Sequence, residues 1–189
     1  MTPGLLTPRS LAETAHHESA CLEAYKDSGG TWTWGIGVTD ASGHTVSRYK
    51  DHPTDLQTVL SVYAWLVATR YGPQVVRAFA PYHLSEAQFA AALAFHYNTG
   101  AILKTSWPWL VKSGSPQAAR MVLEGNYLNG GLLKGRRAAE AALFFDEKWA
   151  GDGKLTILPV RKPSYAPDFK HPTHAPILDA LGTTLAAQA

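Results

Sequence analysis

The sequence is poor in several features that define particular classes of protein. Cys21 is its single cysteine, so no internal disulfide can form and a disulfide-stapled secreted scaffold is excluded. Charged residues make up 17% of the chain, and no basic run is long enough to indicate a nucleic-acid partner. The longest apolar stretch, 59–68, is interrupted by Ser61 and is too short for a membrane span. The first ten residues lack the apolar segment of a signal peptide, and we expect none.

The residues that are present suffice for a folded core. Hydrophobic residues account for 46% of the 189 positions, which excludes a disordered chain and fits one domain of ordinary size, with or without a tail. There are 6 Trp, 8 Tyr and 6 Phe, and such side chains stack on sugars but more often belong to a core. The net charge of +2 favours an anionic partner only weakly.

Capping boxes and first-turn prolines predict the helices. Ser10 and Glu13 have the spacing of a capping box, which predicts a short helix ending near Glu18. A second box near residue 54 predicts a helix that stops before Gly72 and Pro73. Further helices are predicted to begin near residues 85, 106, 115 and 136.

Strand-forming residues separate the first two helices. Thr, Trp, Ile and Val are frequent in 22–49, and turn-forming sequences at 28–30 and 40–43 divide them. We predict three short antiparallel strands in two hairpins. So small a sheet is marginal alone, so it must pack against the helices.

The last part of the chain has a different composition. Between Leu155 and Ala189 a proline recurs every four to five residues, a spacing that disfavours helix and sheet alike. We therefore predict a compact domain over 1–151, and a proline-rich extension over 152–189 that is packed on the domain or flexible.

Two carboxyl groups and a hydroxyl form the candidate catalytic set. Glu18 lies at the predicted end of the first helix, Asp27 at the first hairpin turn, and Thr33 within the next strand. A helix followed by a hairpin folds back on itself, so Glu18 and Asp27 can face each other across a groove. Glycoside hydrolysis needs such a pair, with one carboxyl protonated and the other ionised.

A metal site is the competing interpretation of the same residues. The segment from His17 to Cys21 is close to a His-Glu-x-x-His zinc motif, with Cys21 at the second ligand position. No third ligand is evident. We therefore predict no metal and no cofactor, and expect Cys21 to be a small buried residue.

Three segments resemble a known family when they are taken together. The spacing of Glu18, Asp27 and Thr33 before the Gly-Ile-Gly sequence at 35–37 resembles the catalytic segment of the phage-type lysozymes, or muramidase endolysins. The segments 84–100 and 135–144 are similar, in the expected order, to the family's helix entering the cleft and to its late Arg-Arg helix.

The resemblance implies an α+β, lysozyme-like fold. It consists of a mostly helical lobe and a small three-stranded antiparallel lobe, with an active-site cleft between them. The implied activity is hydrolysis of the β-1,4 bond between N-acetylmuramic acid and N-acetylglucosamine in bacterial peptidoglycan. Glu18 would be the general acid, Asp27 the carboxylate that activates or orients water, and Thr33 the hydroxyl that holds that water.

The resemblance also suggests residues around the catalytic set. Tyr97, Asn98, Ser106 and Trp34 are the candidate sugar contacts, although Trp34 is equally compatible with a core position. Arg136 or Arg137 is expected to pair with Glu18 or a neighbour, with a slight preference for Arg137.

The implied biology follows the family. We expect a monomer that accumulates in the host cytoplasm and acts, after release, at the cell wall or periplasm. Two alternatives remain open at this stage. One is a non-catalytic module that binds peptidoglycan or chitin, and the other is a lytic transglycosylase, which needs the acid but not the water-activating Asp27.

Overall fold

The computed structural model describes residues 4–188, which form helices packed around one mixed sheet. The helices are α1 (Pro8–His16), α2 (Leu56–Leu66), α3 (Gly72–Phe79), α4 (Glu86–Thr99), α5 (Trp107–Lys112), α6 (Pro116–Gly125), α7 (Lys134–Asp146) and α8 (Leu178–Gln188). The strands are β1 (Ser19–Lys26), β2 (Trp32–Gly35), β3 (Val38–Thr39), β4 (Lys154–Ile157) and β5 (Thr173–Pro176). None of the described helices is long and apolar enough to cross a membrane.

The strands form a single sheet in the order β3, β2, β1, β4, β5. β1 pairs antiparallel with β2 and parallel with β4, whereas β3 and β5 run antiparallel to β2 and β4. The prediction of a three-stranded sheet is therefore wrong. The two further strands come from the proline-rich tail, which continues the sheet beyond β1.

The tail prolines do not prevent this pairing because of where they lie. Pro159, Pro163, Pro167 and Pro172 fall in the connection between β4 and β5, and Pro176 ends the edge strand β5. Edge strands tolerate proline, because one side of an edge strand has no neighbour to receive its N–H groups. Since the tail also ends in α8, the prediction that it forms neither helix nor strand is wrong.

The cap of α1 lies one turn earlier than predicted. Thr7 Oγ1 accepts from the Ser10 N–H at 3.0 Å, and Ser10 Oγ accepts from the Thr7 N–H at 2.9 Å. The expected box of Ser10 with Glu13 is therefore wrong. Glu13 is buried, and its carboxylate accepts from the N–H groups of Ala150 and Gly151 at 3.2 and 2.8 Å. These bonds fix the chain after α7 against α1.

The next helices agree with the capping signals more closely than with the breaker signal. α4 begins after Ser85, as predicted, and Ser85 forms a capping box with Gln88. The predicted box of Thr54 with Gln57 is wrong by one residue, because Asp55 caps α2 by accepting from the Thr58 N–H at 2.7 Å. Gly72 and Pro73 do not end the helical segment. A π-helical turn, Val67–Tyr71, leads into α3. Pro73 lies in the first turn of α3, where its missing N–H costs no helical hydrogen bond.

The core surrounds α4, which packs against α1 and α7. Phe89 and Leu93 of α4 are completely buried. Leu155, Ile177 and Leu181 from the tail belong to the same buried cluster, and α8 contacts α1 and α2. The tail therefore contributes to the core that positions α1 and β1, and these two elements carry the candidate site.

Candidate active site

Glu18 lies directly after α1, where the chain turns into β1. Its N–H donates to the Ala15 carbonyl at 3.0 Å, which closes the last helical turn. The side chain is 24% exposed, and Oε1 accepts from Arg136 Nη1 at 2.7 Å. Oε2 has no hydrogen-bond partner among residues 4–188. One carboxyl oxygen is therefore held by the protein, and the other is left for a second partner.

Arg136 on α7 is the residue that orients Glu18. Its side chain is 9% exposed and also donates to the His17 carbonyl at 3.3 Å, the Ala94 carbonyl at 3.0 Å and Glu140 Oε1 at 3.0 Å. One guanidinium thus connects the end of α1 with α4 and α7. Because an arginine fork has fixed geometry, these bonds determine the direction of the Glu18 carboxyl.

Arg137, the preferred partner in the sequence analysis, does not reach Glu18. Its buried Nη2 lies 2.6 Å from Asn98 Oδ1 and 3.1 Å from Glu140 Oε1. Successive helical residues project about 100° apart, so only one of the two arginines can face Glu18. Burial raises the pKa of the Glu140 carboxyl to about 7, although both arginines act to lower it. Of the two arginines left open by the sequence, Arg136 is therefore the partner of Glu18 and the slight preference for Arg137 is wrong, since Arg137 instead connects α7 with α4.

Asp27 lies in the turn between β1 and β2. Its Oδ1 accepts from the N–H groups of Gly29 and Thr31 at 2.9 and 2.8 Å. Its Oδ2 has no hydrogen-bond partner within the described chain, and the residue is exposed. The carboxylate is therefore both the organising acceptor of a tight turn and a group available to solvent.

Glu18 and Asp27 line the same open cleft, which has a volume of about 510 Å³. The other residues from the α1–β3 region that line it are His17, Ser19, Cys21, Tyr25, Lys26, Ser28 and Gly37. The rest of its lining comes from the tail, through Leu158, Arg161, Ala166, Pro167 and Phe169. The structure thus brings together the two carboxyls that were predicted to face each other across a groove.

Three titratable groups around this cleft are kept neutral by burial. Burial, assisted by Arg136, lowers the pKa of His17 to about 3. Burial also raises the pKa of the Cys21 thiol to about 12, and it raises that of the Tyr25 hydroxyl. These side chains therefore supply polar but uncharged walls at neutral pH.

Thr33 is on β2 but does not reach the cleft surface. It lies directly opposite Tyr25 in the antiparallel pair, so the two side chains project from the same face of the sheet. Tyr25 lines the cleft, whereas Thr33 is 3% exposed and its hydroxyl donates to the Thr31 carbonyl at 3.2 Å. The hydroxyl can still accept a hydrogen bond, but its proton is already engaged.

Two of the predicted sugar contacts are structural. Trp34 is completely buried, and its ring stacks on Tyr49 at 3.8 Å between centroids. The assignment of Trp34 as a sugar contact is therefore wrong. Tyr97 packs against Tyr71 and donates its hydroxyl proton to the Ile36 carbonyl, so it supports the Gly-Ile-Gly turn from behind instead of lining the cleft.

The other two predicted contacts lie away from Glu18. Asn98 is occupied as the acceptor for Arg137. Ser106 lies beside a separate cavity of about 370 Å³ that includes Asn126 and Tyr127. Neither Asn98 nor Ser106 is in the lining of the cleft that contains Glu18 and Asp27.

The tail residues of the cleft were not predicted from the sequence. Arg161 and Phe169 lie outside the three segments on which the family resemblance depends. A weak local signal was the apolar alternation around Leu155 and Ile157, which is compatible with a strand pairing beside β1.

The residues of the segment that resembles a His-Glu-x-x-His zinc motif have other roles. Glu18 is paired with Arg136, and Cys21 is a buried free thiol, as expected. Within 4–188, no group of three or more His, Cys, Asp and Glu side chains is arranged to hold a metal ion.

The family model described as Phage lysozyme matches residues 15–140, more than half of the chain, including Glu18, Asp27 and Arg136. The chain belongs to the phage lysozyme family. The matched region ends before β4, so the tail wall of the cleft lies outside it. No protein of curated function matched the sequence significantly.

Solved structures with the same fold are distant in sequence. An endolysin from Escherichia coli O157:H7 phage FAHEc1 is 21% identical with a TM-score of 0.61, covering 76% of this chain and 95% of the endolysin. A point mutant of P22 lysozyme is 20% identical with a TM-score of 0.56, covering 71% and 94%. The muramidase domain of SpmX from Asticaccaulis excentricus is 23% identical with a TM-score of 0.52, covering 72% and 95%. The expected lysozyme-like α+β fold is confirmed.

Proposed function

We propose that this phage lysozyme family member is a muramidase that hydrolyses the β-1,4 bond between N-acetylmuramic acid and N-acetylglucosamine in peptidoglycan. The observation that carries the proposal is that Glu18 and Asp27 line one cleft, each with one carboxyl oxygen free of partners in the described part of the chain. Most glycoside hydrolases use such a pair of carboxyls, one as the acid and the other to activate water or to act as nucleophile.

In this proposal, Glu18 is the general acid. Arg136 holds Oε1, so the proton that is transferred to the leaving oxygen is carried by Oε2. Proton transfer is efficient only from a donor held at hydrogen-bond distance, and the links from Arg136 to α4 and α7 restrict the motion of this carboxyl.

Asp27 is the carboxylate that activates or orients the attacking water. Its Oδ1 is fixed by the turn, which leaves Oδ2 for the water. Thr33 remains a predicted participant, in a narrower role. Because its hydroxyl is nearly buried and its proton goes to the Thr31 carbonyl, Thr33 serves in this proposal only as an acceptor for a water that penetrates below the cleft surface. On this proposal the protein acts on the cell wall after release from the cytoplasm of its host.

Product analysis on purified peptidoglycan tests the proposal. Hydrolysis gives reducing muramic acid ends, whereas a lytic transglycosylase gives anhydro sugar ends and a binding module gives no new ends. We expect reducing ends from the wild-type protein. We expect none from Glu18→Gln, with an unchanged thermal midpoint, because a neutral amide keeps the acceptor for Arg136 but has no acidic proton. Turnover by Glu18→Gln would contradict the assignment of the acid.

A further inference from the structure

The tail wall of the cleft is a small hairpin, residues 158–169, which we name the cleft hairpin. The Arg161 N–H donates to the Ala166 carbonyl at 2.9 Å, and the Asp168 N–H donates to the Pro159 carbonyl at 2.8 Å. Val160 and Pro167 face each other as an antiparallel bridge. The segment is therefore a closed, hydrogen-bonded structure, despite its prolines.

The cleft hairpin is attached to β1 near both ends of that strand. At one end, the Leu158 N–H donates to the Ala20 carbonyl at 2.8 Å, and at the other, the Lys26 N–H donates to the Tyr165 carbonyl at 2.8 Å. The Tyr165 ring also packs edge-on against Trp32 at 5.0 Å between centroids. These contacts hold the hairpin beside Glu18 at its start and beside Asp27 at its tip.

A cluster of charged side chains fixes the outer side of the same hairpin. Lys162 pairs with both Glu23 and Asp51, and the Tyr165 hydroxyl donates to Asp51 Oδ2 at 2.9 Å. The Asp51 N–H in turn donates to Glu23 Oε1 at 2.9 Å. Every polar side chain of this cluster has a partner within the protein.

Arg161 and Phe169 differ from that cluster in having no such partners among the described residues. The Arg161 guanidinium forms no ion pair or side-chain hydrogen bond within 4–188, although the residue lines the cleft. Phe169 also lines the cleft, with 73% of its side chain exposed. The anchored hairpin thus presents a guanidinium that forms no ion pair within 4–188, together with an exposed aromatic ring, to the cleft that Asp27 also lines.

We propose that Arg161 and Phe169 form a subsite for the peptide-substituted sugar of peptidoglycan, with Phe169 packed on the sugar ring and Arg161 paired with a carboxylate of the stem peptide. This inference rests on the proposed function and adds a substrate preference to it. The charge supports this occupant. Arg161 lines the cleft on the tail side, and its guanidinium offers a carboxylate a bidentate partner.

The test compares soluble glycan strands that carry stem peptides with the same strands after amidase treatment. The preference is the kcat/KM on peptide-bearing strands divided by the kcat/KM on amidase-treated strands. We expect Arg161→Gln to reduce this ratio about tenfold, the effect of losing one charge-assisted hydrogen bond. Arg77→Gln, an exposed change on α3, is the matched control and should keep the wild-type ratio. A wild-type ratio for Arg161→Gln would overturn the assignment of Arg161.

Phe169 is tested separately, because stacking on a sugar does not require the peptide. Phe169→Ala should raise KM on both kinds of strand several-fold with little change in kcat, whereas the exposed control Leu132→Ala should not. An unchanged KM would overturn the role of Phe169. Thermal midpoints of all variants check that they are folded.

Affinity measurements separate this inference from the proposed function. Strand binding is titrated by tryptophan fluorescence in the Glu18→Gln background, with and without Arg161→Gln. A wild-type protein that binds but makes no reducing ends would contradict the muramidase, while the effect of Arg161→Gln on peptide-dependent affinity would still support or overturn the subsite.

Discussion

Arg136 Nη1 lies 2.7 Å from Glu18 Oε1, while Arg137, the next residue of α7, donates to Asn98 and forms an ion pair with Glu140. Adjacent arginines on one helix therefore serve two purposes. Arg136 orients the candidate acid across the junction of α1 with β1. Arg137 is completely buried and connects α7 with α4.

Lysine substitutions should separate these two purposes. Arg136→Lys keeps the positive charge but removes the fork that holds Glu18 and Glu140, so we expect kcat to fall about tenfold or more while most of the protein remains folded. Arg137→Lys replaces the completely buried guanidinium that bridges Asn98 and Glu140, and we expect it to lower the free energy of unfolding by about 3 kcal/mol or more.

Both variants are measured by chemical denaturation and by peptidoglycan turnover per folded molecule. If Arg137→Lys lost turnover per folded molecule more strongly than Arg136→Lys, the division of roles between the two residues would be wrong.

The positions of the carboxyls could be predicted from the sequence, whereas the directions of several side chains could not. A helix end followed by a tight turn brings Glu18 and Asp27 to one groove in nearly any packing of those elements. Whether Thr33 and Trp34 face a cleft or a core depends on strand register and on the elements covering each face. Tyr49 covers Trp34, and it comes from a segment to which the sequence analysis gave no packing role.

Asp27 both stabilises the turn and is the proposed water-activating carboxylate. Replacing it with asparagine, an isosteric amide, should remove the second role and keep the first. Asp27→Asn keeps an Oδ1 acceptor for the Gly29 and Thr31 N–H groups, so the thermal midpoint should stay close to that of the wild type. The negative charge that activates water is lost, and kcat should fall about 100-fold or more.

Asp40→Asn is the matched control for this change. Asp40 Oδ1 likewise accepts a backbone N–H, from Val46 at 2.8 Å, but the residue does not line the cleft. We expect it to keep wild-type turnover. Equal turnover by Asp27→Asn and Asp40→Asn would exclude Asp27 from the chemistry.

The fold of the tail was not predictable from its local sequence. Regular proline spacing disfavours structure within a segment, but the pairing of β4 depends on a partner, β1, that lies more than a hundred residues earlier in the chain. The apolar alternation around Leu155 is compatible with a strand, but it does not identify β1 as the partner. Leu155, Ile177 and Leu181 belong to the buried core cluster. Their burial depends on the packing of the tail against α1 and α2, which the local sequence does not show.

Leu181 tests whether the tail is an integral part of the domain. Its side chain is fully buried in the main core cluster, so Leu181→Ala should lower the free energy of unfolding by about 2 to 5 kcal/mol. Leu178→Ala, on the same helix but 42% exposed, should cause a clearly smaller loss. Denaturation that follows one cooperative transition, with Leu181→Ala as destabilised as expected, supports an integral tail. A wild-type midpoint for Leu181→Ala would indicate an independent appendage.

His96 should lower the free energy of unfolding as the pH becomes acidic. It is 2% exposed on α4, its Nδ1 accepts from the Ile102 N–H at 3.5 Å, and burial lowers its pKa from 6.5 to about 4. Between these values the unfolded chain binds a proton that the folded protein excludes. Stability is therefore complete above pH 6.5 and is lost as the pH falls towards 4, by about 1.4 kcal/mol per pH unit from this residue.

His96→Asn keeps an acceptor for the Ile102 N–H but cannot be protonated in this range. We expect urea denaturation between pH 7 and pH 4 to show a shallower loss of stability for His96→Asn than for the wild type, even if its stability at pH 7 is lower. The pKa of His17 is also lowered, to about 3, so His17 also reduces stability as the pH falls, and the His96→Asn variant keeps this contribution. His83→Asn, at an exposed position, is the control and should keep the wild-type slope. Identical slopes for His96→Asn and the wild type would mean that His96 takes up its proton in the folded protein as readily as in the unfolded chain.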